Sequence, residues 1–504
     1  MTRRLRSLKV QHRRPILRPR SLPRRTGKCE AIVATFRLFK IHLRVPFLTL
    51  AIIESLLCIA AVFAAVHIRF GGDLTAESLA DNNVFSPVLS ALVFGIVMPI
   101  TMMAMGLYQA RFRGGISGVL LRSISGFFAG AVILALIYYV FPNLYIGRGV
   151  FGIALILSFI GVTLLRPIFF YYVDKDVLKM RVLVLGAGDR AYSITQRLRR
   201  KVDHRGFDIV GYVPAKTDTK VMVDEEKLIT IHGTLLDFCI KHKIDEIVVA
   251  PDERRKGLML NELLDCKLHG VAVIDILSFF EREQGKLPLD IMRPDWLIYS
   301  DGFNQGALRD VSKRTFDIVA SLLILSITWP FMLLAAIGIK LEDGFSAPII
   351  YRQVRVGFLG APFSVLKFRS MSVDAEKDGK AQWATKNDAR VTRMGSFMRV
   401  TRIDELPQIL NVLKGDMSFV GPRPERPEFV EELTEQITNY KERHAVKPGI
   451  TGWAQVCYPY GASLNDSIQK QEFDLFYIKN HTLFLDILIL CQTAEVVLFG
   501  KGAR

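Results

Sequence analysis

Four long apolar stretches dominate the first third of the chain. They occupy residues 46–69, 86–108, 117–141 and 150–173. Each is long enough to cross a hydrocarbon core of roughly 30 Å at about 1.5 Å per residue. The first intervening loop has acids and no Lys or Arg, whereas the second has two arginines. Because Lys and Arg favour the cytoplasmic side, we predict four transmembrane helices in 46–175 and an inside N terminus.

After the fourth stretch the hydrophobic pattern changes to short runs of the kind found in strands. A Leu- and Val-rich run at 180–185 ends in Gly186 and Gly188, where a helical pattern begins. Further strand patterns follow at 207–213, 243–252 and 270–277. Strands alternating with helical segments predict a parallel sheet, so we expect a Rossmann-like α/β domain in 176–300 on the cytoplasmic side.

The glycine turn of this domain leaves two interpretations open. A GxGxxA pattern after a strand can cradle a dinucleotide, but alone it is weak evidence. The acidic residue that would grip a ribose is expected at the end of the second strand. Pro214 stands near that place. The pattern therefore favours a structural tight turn over a dinucleotide site.

A fifth apolar run, from Ile318 to Ile339, carries Pro330 near its centre. A proline inside a helix removes one backbone hydrogen bond and clashes with the preceding turn. We therefore predict that the helix kinks or breaks at Pro330. The run could form a kinked spanning helix, or two half-helices joined at a bend as a re-entrant helix, at about residues 315–341, that enters and leaves on the same face. The re-entrant helix would keep the rest of residues 301–504 in the cytoplasm. Charge does not decide between them, because large domains translocate regardless of their Lys and Arg content.

The segment after this run has a pattern typical of two strands and then an amphipathic helix. The strands flank a turn at 357–362 and bring Lys367 and Arg369 close together. Leucine and isoleucine at i, i+3, i+4 and i+7 predict a helix over 405–414, which places Asp404 at its N-terminus.

Asp404 has two interpretations. An Asp at a helix N-terminus is commonly an N-cap. The positive helix end also favours an ionised carboxylate, which can attack phosphorus. Glu405 supplies a second carboxylate, and adjacent carboxylates suit Mg²⁺. The residues alone therefore leave two roles open for Asp404: an N-cap, or a catalytic carboxylate that together with Glu405 binds a Mg²⁺ cofactor.

Several cations lie in the same part of the chain. Fixed cations suit the oxygens of a diphosphate, and acids with such cations are typical of phosphoryl transfer. A surface salt-bridge network is the alternative. The predicted phosphate-binding residues are Lys367, Arg369, Arg399, Arg402 and Arg423.

The net charge of +17 is uneven along the chain, because residues 1–28 carry eleven Lys or Arg and no acid. Such an arm could bind nucleic acid. A closely following apolar stretch favours the alternative, a basic cytoplasmic arm (1–45) that anchors the first membrane helix. We predict no nucleic-acid partner.

The most specific motifs are "KRTFD" (313–317), "KFRSM" (367–371), "RIDELPQILNVLKGDMSFVGPRP" (402–424) and "KPGITGWAQV" (447–456). With the proline-containing apolar run they resemble the monotopic phosphoglycosyl transferases, which are polyprenyl-phosphate sugar-1-phosphate transferases. The four-helix bundle and the Rossmann-like domain resemble the large form of that family, and the C-terminal segment its exopolysaccharide-associated branch. The family often has Ser-Pro in the membrane helix, where this chain has Trp329-Pro330.

The resemblance implies a transfer of sugar-1-phosphate from a UDP-sugar to undecaprenyl phosphate, with release of UMP. It assigns the catalytic dyad to Asp404 and Glu405, with a covalent aspartyl phospho-sugar intermediate. UDP-sugars are cytosolic, so it favours the re-entrant course and a catalytic domain on the cytoplasmic face of the bacterial inner membrane. The sugar stays open between glucose or galactose and an N-acetylated sugar, and a homo-oligomer is possible. A nucleotide-sensing membrane regulator is the competing function.

Overall fold

The computed structural model describes residues 35–38, 41–71, 87–108, 116–174, 179–199, 201–204, 206–216, 218, 220–253, 259–292, 296, 306–372, 390–459, 461 and 463–498. The predicted basic arm lies largely outside these residues. At its end the chain forms an antiparallel hairpin of β1 (Thr35–Leu38) and β2 (Ile41–Arg44), which the sequence analysis did not predict.

Four apolar helices follow, as predicted. They are α1 (Val45–Phe70), α2 (Pro87–Ala104), α3 (Ile116–Val140) and α4 (Arg148–Asp174). By length and composition α1, α3 and α4 could each cross a membrane, whereas α2 is shorter. Many apolar side chains on the outer faces of these helices are exposed, and the inner faces form one hydrophobic cluster.

Within the described part of this bundle an ion pair is buried between two helices. Arg166 of α4 and Glu54 of α1 are almost fully buried, with 2.8 Å between Nε and Oε1, and Tyr108 donates a hydrogen bond to Glu54. Charges within an apolar bundle are costly unless paired, so the pair fixes the register of α1 against α4.

The α/β domain contains a parallel sheet of β3 (Met180–Leu185), β4 (Phe207–Val213), β5 (Glu246–Val249) and β6 (Ala272–Asp275), which confirms the four predicted strands. The strand order is β4-β3-β5-β6. Its helices are α5 (Asp189–Arg197), α6 (Leu235–Lys241), α7 (Leu260–Leu268) and α8 (Ile276–Gln284).

The long helix α9 (Ala307–Asp343) has 37 residues and continues through Pro330. The helix is thus not divided in two at the proline, and its re-entrant course stays a prediction. Apolar side chains in its middle are exposed, such as Ile327 (68%) and Leu334 (62%). By length and composition this helix could also cross a membrane.

Both ends of α9 contact the C-terminal domain. Near the N-terminal end, the Arg314 guanidinium donates to the carbonyls of Val412 (2.6 Å) and Leu413 (2.5 Å). At the other end, Glu342 accepts hydrogen bonds from the backbone N–H groups of Arg393 and Met394, both at 2.8 Å.

The C-terminal domain, which is the predicted catalytic domain, combines short strands with helices. The strands are β7 (Ile350–Val356), β8 (Pro362–Phe368), β9 (Ser418–Val420) and β10 (Gly449–Thr451). The helices are α10 (Arg393–Thr401), α11 (Gln408–Lys414), α12 (Pro427–Gln436), α13 (Trp453–Cys457), α14 (Leu464–Asn480) and α15 (Leu483–Leu498). The predicted hairpin before Arg369 is confirmed, since β7 and β8 pair antiparallel.

Buried ion pairs join the α/β domain to α14 of the catalytic domain. Glu281 of α8 accepts hydrogen bonds from Lys479 Nζ (2.7 Å) and Asn480 Nδ2 (2.6 Å). Just after α8, Lys286 Nζ lies 2.6 Å from Glu472 Oε2. These charges are shielded from water, so removing either partner would leave the other as an unpaired buried charge.

Candidate active site

Asp404 and Glu405 lie in a short 3₁₀ turn, Ile403–Glu405, between α10 and α11. α11 begins at Gln408, with Pro407 as its N-cap. The prediction that the helix starts at 405 with Asp404 at its N-terminus is therefore wrong. Pro407 has no N–H to donate, and the chain here closes by i→i+3 hydrogen bonds, such as Leu406 N to Ile403 O at 3.1 Å.

Arg402 turns the chain from α10 into this 3₁₀ turn. It is the C-cap of α10, with φ 60° in the left-handed region, which residues other than glycine seldom adopt. Its carbonyl accepts a hydrogen bond from Glu405 N at 3.3 Å. A left-handed residue at this point makes the chain change direction, so the two carboxylates project from a sharp bend.

Glu405 is held by two of the predicted cations. Lys367 Nζ and Arg423 Nη2 each lie 3.0 Å from Glu405 Oε1. Burial alone would raise the pKa of this carboxyl, but the charges of Arg423 and Lys367 lower it well below its usual range. Glu405 is therefore ionised at neutral pH.

Asp404 is in the opposite situation. Its side chain is buried, and its Oδ1 has no hydrogen-bond partner among the residues that the structure describes. Burial and the charge of Glu405 raise its pKa, although Lys367, Arg399 and Arg402 partly offset this effect. The expected stabilisation of the ionised form by a helix N-terminus is thus not found. A carboxylate oxygen without hydrogen bonds is a better nucleophile than a solvated one.

The other predicted cations contribute unequally. Arg399 Nε donates to Ser370 Oγ at 3.0 Å, and the positive charge of Arg399 acts on Asp404. The Arg402 side chain is exposed. Arg369 makes no hydrogen bond to the dyad within the described residues, and its buried Nε has no partner there. Its backbone N–H donates to Ile349 O at 2.9 Å.

Asn411, which the sequence analysis did not single out, connects α11 to the strand that carries Lys367. Its Nδ2 donates to Ser364 O at 2.8 Å, and its Oδ1 accepts from Leu366 N at 3.0 Å. The amide is buried in the interface. The sequence did offer one signal for Asn411, because it is a polar residue among the apolar positions of the predicted helix.

Three glycines of the quoted motifs lie in one close backbone contact. A Cβ atom on Gly421 would lie 2.3 Å from Lys447 O, one on Gly449 2.1 Å from Gly421 N, and one on Gly452 2.3 Å from Gly421 O. Any side chain at these positions would push β9 and β10 apart. The close contact at these glycines fixes the position of the loop that follows β9, and this loop carries Arg423.

The glycine turn of the α/β domain is filled by two carboxylates of the same domain. Ala187 N donates to Asp218 Oδ2 at 2.7 Å, and Arg190 N donates to Asp252 Oδ1 at 3.1 Å. A Cβ on Gly188 would lie 2.0 Å from Asp252 Oδ2. These amides are the donors that a nucleotide phosphate would need at a helix N-terminus.

A cavity of ≈ 540 Å³ lies between the α/β and catalytic domains. Among the residues that line it are Gln196, Arg197, Lys286 and Gln469. Neither Asp404 nor Glu405 is part of this lining, so the cavity is separate from the dyad.

A family model described as bacterial sugar transferase matches residues 308–500. The UDP-N-acetylgalactosamine-undecaprenyl-phosphate N-acetylgalactosaminephosphotransferase of Aeromonas hydrophila is 42% identical over 282 residues, covering 54% of this chain and 65% of that protein. The UDP-glucose:undecaprenyl-phosphate glucose-1-phosphate transferase of Xanthomonas campestris pv. campestris is 34% identical over 353 residues, covering 68% and 71%. The similarly named Klebsiella pneumoniae protein is 35% identical over 333 residues, covering 64% and 69%. The chain spans about two thirds of the length of each of these relatives.

Proposed function

The chain belongs to the bacterial sugar transferase family, and we propose that it transfers a sugar-1-phosphate from a UDP-sugar to undecaprenyl phosphate, releasing UMP. The names of the relatives support this proposal, because all three give undecaprenyl phosphate as an acceptor. The reaction would be the first membrane step of exopolysaccharide, capsule or O-antigen-type assembly.

One observation carries the proposal: two adjacent carboxylates, one buried and one half-buried, have opposite environments. Glu405 Oε1 pairs with both Lys367 and Arg423, whereas Asp404 has an oxygen without a hydrogen bond among the described residues. A salt-bridge network alone would pair both carboxylates. This difference in environment suits a pair in which Glu405 orients the neighbouring groups and Asp404 reacts.

In the proposed mechanism the Asp404 carboxylate attacks the β-phosphorus of the UDP-sugar. A new P–O bond forms, the phosphoanhydride to UMP breaks, and UMP leaves with the bonding electron pair. An oxygen of undecaprenyl phosphate then attacks the same phosphorus and displaces Asp404. The first step exchanges a phosphoanhydride for an acyl phosphate on Asp404, and the second step exchanges the acyl phosphate for a new phosphoanhydride, so no ATP is needed. Arg399 lies where it can balance the charge of the non-bridging oxygens.

The dyad also fits a Mg²⁺ ion. Asp404 Oδ1 is a buried carboxylate oxygen that lacks a hydrogen-bond partner within the described residues, and Glu405 is ionised beside it. Mg²⁺ is commonly bound by one or two carboxylates together with substrate phosphates and water. Bound there, it would neutralise charge on the diphosphate.

We further propose that α9 is re-entrant and that the catalytic domain faces the cytoplasm. The contacts at both ends of α9 support this course. Arg314 binds the end of α11, and Glu342 binds the start of α10. If α9 crossed the bilayer, the connected segment between α10 and α11 would have to follow it across roughly 30 Å of hydrocarbon. That segment contains Arg399, Arg402 and the dyad.

UMP release is the experiment that tests the function. Membranes containing the protein and undecaprenyl phosphate are supplied with UDP-glucose or UDP-N-acetylgalactosamine, the donors named for the relatives. We expect release with at least one donor, and a loss of 10³-fold or more in Asp404→Asn, since the amide cannot act as the nucleophile. Asp416→Asn is the matched control, because Asp416 pairs with the exposed Lys414 near the end of α11. Near-normal release by Asp404→Asn would contradict the assignment.

A further inference from the structure

The loop Gly421–Glu425 brings Arg423 to Glu405, and its backbone is held at four consecutive carbonyls. Two of its residues are prolines, which have no N–H, so the carbonyls are the main groups by which the loop can be fixed. The four hydrogen bonds are Gly449 N to Pro422 O (3.0 Å), Arg443 Nη2 to Arg423 O (3.1 Å), Arg355 Nη1 to Pro424 O (3.2 Å) and Val356 N to Glu425 O (3.0 Å).

Two of these four donors are arginine side chains from different elements. Arg443 lies in the 3₁₀ turn Lys441–Ala445, is 7% exposed, and pairs with the buried Asp474 of α14 at 2.9 Å. Arg355 lies on β7 and also contacts Glu425 Oε2 at 3.4 Å. A guanidinium presents several donors in a rigid plane, so it can hold an acid and a carbonyl together.

The position of this backbone decides whether Arg423 reaches the dyad. Its Nη2 lies 3.0 Å from Glu405 Oε1, and a shift of about 1 Å would take the pair beyond hydrogen-bond range. Misplacing a catalytic group by about 1 Å can lower a rate by roughly 100-fold.

We propose that Arg443 and Arg355 are positioning residues for Arg423. They do not touch the dyad, and they act by fixing the carbonyls on either side of the loop so that Arg423 holds Glu405. The inference rests on the proposed transferase function. The family match and the quoted motifs assign no such role to either arginine.

A double-mutant cycle tests the proposal. UMP release is measured for Arg355→Met and Arg443→Lys, in the wild type and in an Arg423→Met background, with UDP-glucose and UDP-N-acetylgalactosamine. In the wild-type background we expect each variant to lower kcat about 10-fold or more, with KM changed less than threefold. In the Arg423→Met background the same changes should cost less than twofold, because the guanidinium being positioned is already absent.

Controls separate this role from simple destabilisation. Arg352→Met removes an exposed arginine from the same strand and should leave the rate unchanged. Arg355→Lys keeps a donor and should recover part of the loss. Arg355→Met is the variant that decides if Arg443→Lys fails to fold, because Arg355 is only partly buried. Equal losses in both backgrounds, or no loss in the wild type, would overturn the positioning role. No UMP release by the wild type with either donor would instead overturn the proposed function.

Discussion

Removing the charge of Glu281 tests how firmly the α/β domain is attached to the catalytic domain. Glu281→Gln keeps the shape of the side chain but leaves the Lys479 ammonium without its anion. Both side chains of this pair are only 7% exposed, so water cannot replace the lost partner. Breaking a buried ion pair on one side costs about 3–5 kcal/mol. A loss of 1 kcal/mol lowers Tm by roughly 2–4 °C in a domain of about 150–250 residues, so we expect Tm to fall by about 10 °C.

The measurement is thermal unfolding of the detergent-solubilised protein, followed by intrinsic fluorescence. Asp224→Asn is the matched control, because Asp224 pairs with Lys227 at the surface, where both side chains are more than half exposed. A surface pair contributes about 0–1 kcal/mol, so this variant should melt within about 3 °C of the wild type.

A double variant tests the physical cause. Glu281→Leu with Lys479→Met removes both charges, and replacing a buried pair by apolar residues is often close to neutral. We expect it to recover at least half of the Tm lost by Glu281→Gln. If Glu281→Gln melts with the wild type, or if the double variant is less stable than the single one, the reasoning from the buried charge is wrong.

Four further predictions concern pH, metal, cofactor and topology. Burial and the charge of Arg443 lower the pKa of His444 to about 4. The unfolded state, with a pKa near 6.5, therefore binds a proton that the folded state does not, and below pH 6.5 the free energy of unfolding should fall by about 1.4 kcal/mol per pH unit down to about pH 4. His444→Gln should flatten this part of a Tm-against-pH curve, and an unchanged slope would contradict the assignment. EDTA should abolish UMP release, and Glu405→Gln should weaken its dependence on added Mg²⁺; full activity in EDTA would remove the metal from the mechanism. The gently purified protein should contain no stoichiometric NAD(P) by mass spectrometry, since carboxylates fill the glycine turn. Pro330→Leu should expose a C-terminal cysteine to an impermeant thiol reagent in a fraction of intact cells, whereas labelling of the wild type would refute the re-entrant course.

Regular patterns in the sequence predicted the main elements. The apolar stretches predicted α1 to α4, and the β-branched runs predicted β3 to β6. The turn at 357–362 predicted the hairpin that carries Lys367. These elements follow from hydrophobic periodicity, which is a local property. The hairpin at 35–44 was missed although its apolar and basic residues alternate, because these basic residues were counted as part of the arm.

The detailed geometry of the site was less predictable. Nothing local in the sequence indicates that Arg402 adopts a left-handed conformation or that α11 starts three residues later than its apolar pattern predicts. The raised pKa of Asp404 depends on burial by distant elements. Asp218 and Asp252 fill the glycine turn from positions far along the chain, which only the folded sheet brings together.

The contact among Gly421, Gly449 and Gly452 changes how the sequence motifs of this chain are interpreted. Two of the most recognisable segments, "VGPRP" and "KPGITG", contain glycines because two backbones touch, and not because glycine takes part in the reaction. A chain that had lost Asp404 would still need these glycines in order to fold. In a genome survey, the glycine segments would therefore count inactive descendants together with working enzymes, whereas under the proposed mechanism the Asp-Glu pair would separate the two groups.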